Sequence, residues 1–337
     1  MKKLAIIAIG SMLLGFSQQS SFAQSCGTRQ LDPEVAGFLK LIEYKDLSLE
    51  ELRNLPIERI KYPSLPQFPY PKEDVKRIKV TKDSIPVLVF NPTHEKNLPI
   101  IISYHGGGFI SPLVPGLEHS LWLEAKTFKS IVFAVDYRVA PEHKFPAAVN
   151  DSYNAFKWIS EHGSQFGADT NRIVLMGNSA GANLVAVIAH RAKRDNIVRR
   201  IKLQVLNGLP GDLRPKHMEA SFSYQQNATG YFQTKAACSL SAENYAPGQF
   251  DLVEVSPLLT TDFSSLPPAV IINAEFDPLR DDGSLYAFKL KKAGVKVWEK
   301  CFAGQIHCLI GASPNGEAVR AYEALVKAAM NDTFSKF

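Results

Sequence analysis

Arg172-Ile173-Val174-Leu175-Met176-Gly177-Asn178-Ser179-Ala180-Gly181 passes from one kind of local structure to another within a few residues. Arg172 to Met176 is β-prone and mostly apolar, which predicts a buried strand. Ala182 to Ala192 (ANLVAVIAHRA) favours a helix. Between them stands G-x-S-x-G. Its glycines allow a sharp turn and a close approach of helix to strand. A serine at such a turn is pushed above the sheet, where its hydroxyl can attack a carbonyl. The pentapeptide is short enough to arise by chance, so its meaning depends on what the rest of the chain supplies.

Outward from this turn the chain alternates. Val75–Val80 and Ile85–Phe90 read as paired strands around residues 81–84. Then come a strand at Pro99–Tyr104, a helix at His119–Lys126, a strand at Ile131–Val135 and a helix at Ala147–Glu161. After the serine turn follow strands at Ile201–Leu206 and Ala269–Asn273, a helix at Gly283–Ala293, a strand at Val295–Cys301 and a helix at Glu317–Met330. Continuous apolar strands separated by helices predict an α/β fold, with a mostly parallel sheet covered on both faces. Two segments depart from the rhythm. Leu55–Tyr70, rich in proline and aromatics, reads as an extended arm rather than a helix. Gly211–Asp251 is too long for a structureless loop in a compact domain, and reads as an inserted helical cap. Together with the N-terminal arm, residues 24–74, it would cover the point where Ser179 emerges; residues 75–337 form the main domain.

A serine hydroxyl needs a base, and the base needs an orienting acid. The acid candidates after the Ala269–Asn273 strand are Glu275, Asp277, Asp281 and Asp282. Asp277, followed by Pro278, suits a turn leaving the strand end and is the assigned acid. Asp281 and Asp282 stand where helix capping is the simpler role. The base is assigned to His307, in the segment after the next strand; His94, His162, His190 and His217 read as surface or loop residues, and His119 and His143 as structural. Upstream, His105-Gly106-Gly107-Gly108-Phe109 directly follows a strand. Backbone N–H groups aimed at a developing oxyanion stabilise it. The N–H groups of Gly106, Gly107 and Ala180 are assigned that place. A phosphate loop is excluded because no G-K-[ST] follows.

These motifs resemble the hormone-sensitive-lipase-like carboxylesterases, the bacterial family with an HGGG motif. The likeness runs from about Val75 to the C-terminus. It is carried by His105–Phe109, by Asp136-Tyr137-Arg138-Val139-Ala140-Pro141-Glu142-His143, by Phe145-Pro146-Ala147-Ala148 and by Gly177–Gly181. Ser256-Pro257-Leu258, Asp277-Pro278-Leu279-Arg280-Asp281 and Gly304–His307 also fit. The resemblance implies an α/β-hydrolase core, a cap built partly from the N-terminus, neither metal nor cofactor, and short-to-medium acyl esters as substrates. Two positions depart from the family pattern. Asn178 stands where the family usually has Asp, and Cys308-Leu309 where it usually has Gly and an aromatic residue. An amidase or peptidase could use the same triad. A non-catalytic small-molecule receptor on this fold is disfavoured by the presence of His307.

Composition sets further bounds. Hydrophobic residues make up 45% of the 337, enough for a sizeable core, and the net charge of +5 is too small and dispersed to argue for nucleic acid or an anionic membrane. Met1-Lys2-Lys3, the apolar run Leu4–Phe16 and Ser21-Phe22-Ala23 have the layout of a cleavable signal peptide, residues 1–23. That layout predicts a secreted or periplasmic protein without stable membrane insertion; an uncleaved anchor is the alternative. Among the cysteines, Cys26–Cys238 and Cys301–Cys308 are the expected bridges, with four free thiols as the competing reading. No Cys/His cluster suggests zinc. Asn150, Asn227 and Asn331 begin glycosylation-like triplets, and Phe109, Tyr224, Tyr231, Phe232 and Tyr245 are candidates for the pocket wall. The oligomeric state stays open, with a homodimer among the options.

Overall fold

Strand and helix alternate along the chain as its hydrophobic rhythm requires. The computed structural model describes residues 26–61 and 67–335, so the leader read at residues 1–23 lies outside them. The N-terminal segment carries α1 (Pro33–Leu41), α2 (Leu49–Asn54) and α3 (Ile57–Lys61). The body then runs β1 (Val75–Val80), β2 (Ile85–Phe90), β3 (Leu98–Tyr104), α4 (Glu118–Thr127), β4 (Ile131–Val135), α5 (Ala147–His162), β5 (Ala168–Asn178), α6 (Ala180–Arg194) and β6 (Ile201–Asn207). Three helices follow, α7 (Pro215–Ala220), α8 (Phe222–Gln226) and α9 (Lys235–Tyr245). The chain ends with β7 (Ala269–Phe276), α10 (Arg280–Lys292), β8 (Val297–Ile306) and α11 (Glu317–Phe334).

The strands form one eight-stranded sheet in the order β1-β2-β4-β3-β5-β6-β7-β8. Pairings β1–β2 and β2–β4 are antiparallel, and every later pairing is parallel. Every residue of β4 and β7 is buried, because helices cover both sheet faces. Alternation along β3 sends Ile100, Ile102 and Tyr104 to the core beneath α5, α6 and α10, and Ile101 to the core beneath α4 and α11. Full burial of each such side chain stabilises the fold by about 1.5–3 kcal/mol.

Several boundaries differ from the sequence reading. Strand β8 starts later and continues through Ala303–Ile306, which reads as loop in sequence. Its pairing to β7 is irregular between Ala274 and Phe276, and Gly304 at φ +70° lets the strand absorb the irregularity. Glu275 consequently lies within β7 rather than in the turn. The arm is not wholly extended, since Ile57–Lys61 is helical.

Both expected cysteine pairings are overturned. Cys26 is bonded to Cys301, with Cα atoms 5.4 Å apart, and Cys238 and Cys308 are free thiols. Cys26 does not rise toward α9, because its segment is pinned along β8. Arg29 N–H donates to Glu275 Oε1 (2.7 Å), Gly304 N–H to Glu275 Oε2 (2.8 Å) and Asp32 N–H to the Gly304 carbonyl (3.0 Å). Cys301 lies within β8 and Cys308 in the turn that follows it, so the two are not brought together.

The helices between β6 and β7 are tied to both the arm and the body. Arg53 of α2 donates two hydrogen bonds to the Glu243 carboxylate of α9 (3.0 and 2.6 Å). His217 of α7, read from sequence as a surface or loop residue, instead sits between Asp282 (2.6 Å) and Asp212 (3.6 Å). Burial works against its cation, but the two carboxylates outweigh it and push the imidazole up to about 9.

Two outcomes follow for stability. The double variant Cys26→Ala/Cys301→Ala should lose about 2–5 kcal/mol, read by chemical denaturation, and expose residues 26–61 to early proteolysis. The His217 contribution, of order 3 kcal/mol, is complete below its unfolded pKa near 6.5 and fades as pH rises through about 9. The melting-temperature gap between wild type and His217→Gln should therefore be widest near pH 6 and close by pH 10.

Candidate active site

The turn after β5 begins with two close approaches. A Cβ on Gly177 would run into the Gly181 backbone, and a Cβ on Gly181 into the Tyr104 carbonyl at the end of β3. Only glycines let α6 start this near the sheet. Ser179 sits between them at φ 55°, ψ −122°, a conformation uncommon for a non-glycine residue. Its N–H donates to the Asn207 carbonyl (2.8 Å), anchoring the turn to β6. Asn178 is tied to the same strand, with its Oδ1 accepting from Asn207 Nδ2 (3.0 Å).

The glycine loop after β3 lies against this turn. A Cβ built on Gly106 would be 3.3 Å from the Ser179 Cβ, so the Gly106 backbone passes directly beside the serine. The loop is braced from behind. His105 stacks on Tyr137 (centroids 4.1 Å apart), and the Tyr137 hydroxyl donates to the His105 carbonyl (2.6 Å). Burial lowers the His105 pKa to about 4, so its ring is neutral and its Nδ1–H donates to the Gly106 carbonyl (2.8 Å). Ala180 opens α6, whose N-terminal N–H groups favour negative charge.

His307 follows β8 immediately, and its Nδ1–H donates to Asp277 Oδ2 (2.7 Å). Both side chains are buried. Asp277 is itself held: its Oδ1 accepts from Leu279 N–H (2.9 Å), and Asn227 Nδ2 donates to its carbonyl (3.0 Å). Burial disfavours a charged imidazole at His307, yet the Asp277 carboxylate prevails and moves its pKa well above the usual value. The ring's other nitrogen, Nε2, lies 3.4 Å from Cys308 Sγ, which is also 3.5 Å from the Asn207 carbonyl. Among the described residues no hydrogen bond joins Ser179 Oγ to the ring. Such bonds are often long before substrate is bound.

The competing acids are engaged elsewhere. Glu275 accepts from Arg29 and Gly304. Asp281 accepts from Ser223 N–H (2.9 Å), and Asp282 from Gly211 N–H (2.9 Å) and His217. Gly106, Gly107, Ser179, Ala180 and His307 all line one cavity of ≈ 650 Å³, whereas Asp277 stands behind the imidazole. Leu52 of α2 and Phe232, Cys238 and Leu240 from the β6–β7 segment line the same cavity. Phe109 and Tyr224 also reach it, while Tyr231 packs on Phe276 and Tyr245 stacks behind Phe109. Among the described residues no His/Cys/Asp/Glu group could hold a metal ion, and no helix is long and apolar enough to cross a membrane.

Two residues that matter here escaped the sequence reading. Asn227, part of a glycosylation-like triplet, is fully buried and supports the Asp277 turn. Gly208, at φ +63°, leaves room for the imidazole; a Cβ there would be 2.7 Å from His307 Cε1 and 2.9 Å from Cys308 Sγ. An isolated glycine just after a strand was the available signal for it.

A profile of proteins with the alpha/beta hydrolase fold matches residues 101–311. An arylesterase of Saccharolobus solfataricus is 29% identical, the match spanning 90% of this chain and 99% of its own. Carboxylesterase NlhH of Mycobacterium tuberculosis is 37% identical over 63% of this chain and 67% of its own. A solved esterase of Pyrobaculum calidifontis is similar at a TM-score of 0.77 with 29% identity, covering 90% of this chain and 98% of its own.

Displacing the imidazole should be costly. Gly208→Ala is expected to lower kcat/KM for a short-chain ester by ~10²-fold, with a melting temperature within a few degrees of wild type. Wild-type turnover in that variant would show that the ring position is not set by this contact.

Proposed function

We propose, from the premise that this chain belongs to the alpha/beta-hydrolase family and is a carboxylic ester hydrolase, that Ser179, His307 and Asp277 are its catalytic triad. The observation that carries the reading is the 2.7 Å contact between buried His307 and Asp277, at the cavity into which Ser179 projects. Ser179 Oγ attacks the ester carbonyl while His307 Nε2 takes its proton. Asp277 fixes the tautomer that leaves Nε2 free to accept, and favours the imidazolium that forms. The N–H groups of Gly106, Gly107 and Ala180 receive the oxyanion, each donor contributing ~3 kcal/mol to the barrier reduction. His307 then protonates the leaving alcohol, and a water deprotonated by the same ring releases the acid.

Short-to-medium acyl esters suit the cavity, whose wall is mostly apolar. Residues 24–74 and the α7–α9 segment act as a cap, a reading supported by Leu52, Phe232 and Leu240 on the cavity wall. Export through the N-terminal leader is supported by the Cys26–Cys301 disulfide, since such bonds persist in oxidising compartments.

Ser179→Ala should reduce kcat on p-nitrophenyl butyrate by at least ~10⁴-fold, and a fluorophosphonate should label wild-type Ser179 and leave the variant unlabelled. Undiminished turnover, or label on another residue, would overturn the assignment.

A further inference from the structure

One arm of the cavity runs along α4. Leu117, Ser120, Leu121 and Glu124 follow i, i+3, i+4, i+7 spacing and line it from one helix face. Ser103 of β3, two residues before His105, lines it beside Glu124. Residues 110–114 close a third side with mainly apolar side chains. In this wall Glu124 is anomalous. Its Oε1 is buried and has no hydrogen-bond partner among the described residues. Burial pushes the carboxyl up to about 8, against the pull of a hydrogen bond with Ser103. The Tyr322 hydroxyl does not satisfy it, since it points to Met176 Sδ (3.7 Å).

A buried polar atom without a partner is costly, and leucine would fill the same space without that cost. Glu124 therefore makes sense when something entering the cavity completes its hydrogen bonding. The lining narrows what that is. No Lys or Arg lines the cavity among the described residues, so an anionic group at Glu124 would meet no counter-charge from either. A carboxyl kept largely protonated near neutral pH offers one donor and one acceptor, which matches a neutral hydroxyl better than an ammonium.

We propose that this arm is a specificity subsite in which Glu124 and Ser103 hydrogen-bond a hydroxyl carried by the ester substrate. The inference rests on Ser179 as the nucleophile and deepens that reading by naming a substrate class, hydroxylated esters. The hydroxyl belongs to either the acyl or the alcohol part.

Two substrate pairs separate these sources. The full chain is assayed on p-nitrophenyl butyrate against p-nitrophenyl 3-hydroxybutyrate, and on ethyl butyrate against 2-hydroxyethyl butyrate. In one pair the wild-type kcat/KM should favour the hydroxylated member about tenfold. Glu124→Leu should abolish that ratio, and Glu124→Gln, which keeps a donor and an acceptor, should retain most of it. Because each result is a ratio within one variant, general damage to folding or to the triad cancels. No preference in either pair, or the same ratio in wild type and Glu124→Leu, would overturn the subsite. Failure of the nucleophile reading is distinguishable, because it appears as full turnover by Ser179→Ala whatever the ratio.

Discussion

Helix α6 begins almost in contact with the end of β3, where the Gly181 Cα faces the Tyr104 carbonyl with no room for a side chain between them. Much of the geometry of the candidate site depends on this approach. It forces the chain to reverse at Ser179, which accounts for the serine's positive φ and for its position at the carboxyl end of β5. It also fixes the glycine loop, because that loop starts at the very residue whose carbonyl the helix meets. One steric constraint thus brings Ser179, the start of α6 and the glycine loop to the same point. None of them needs a charged side chain to be held there.

The histidine side of the site is assembled differently, by many polar anchors. Asp277 leaves β7 in a turn tied down by Leu279 and Asn227, and the preceding Glu275 is pinned by the N-terminal segment and by Gly304 of β8. That segment is covalently fastened to β8 through Cys26–Cys301, six residues ahead of His307. The arm is therefore a strut of the Asp277–His307 contact as well as a wall of the cavity. Such a network is rigid because each member is satisfied by another, and it leaves the imidazole only the space that Gly208 provides.

The strands, the glycine loop, the serine turn and the pairing of Asp277 with His307 were legible in the sequence. Each is local, or follows from the order of elements in a parallel sheet. What was misread shares a different property. By sequence Cys26 and Cys238 both fall in the covering region, yet the partner of Cys26 is decided by where the arm lies along β8. His217 looked like one more polar loop residue, and its two carboxylate neighbours come from different elements. Asn227 resembled a modification signal and is buried. Ala303–Ile306 looked like a loop because strand pairing across an irregular β7 edge leaves no mark in composition.

The sequence by itself determined the alternation of buried strands and helices, and the small residues that let the chain turn sharply at Ser179 and run unobstructed beside it. Those features act over a few residues, through sterics and hydrophobic periodicity. The tertiary structure alone decided which cysteines meet and where Glu275, Asp281 and Asp282 are clamped. It also decided that Glu124 ends with an unsatisfied oxygen beside the cavity. These are contacts between side chains far apart in the chain, and their energies depend on burial and orientation that exist only once the sheet and its covering helices are packed.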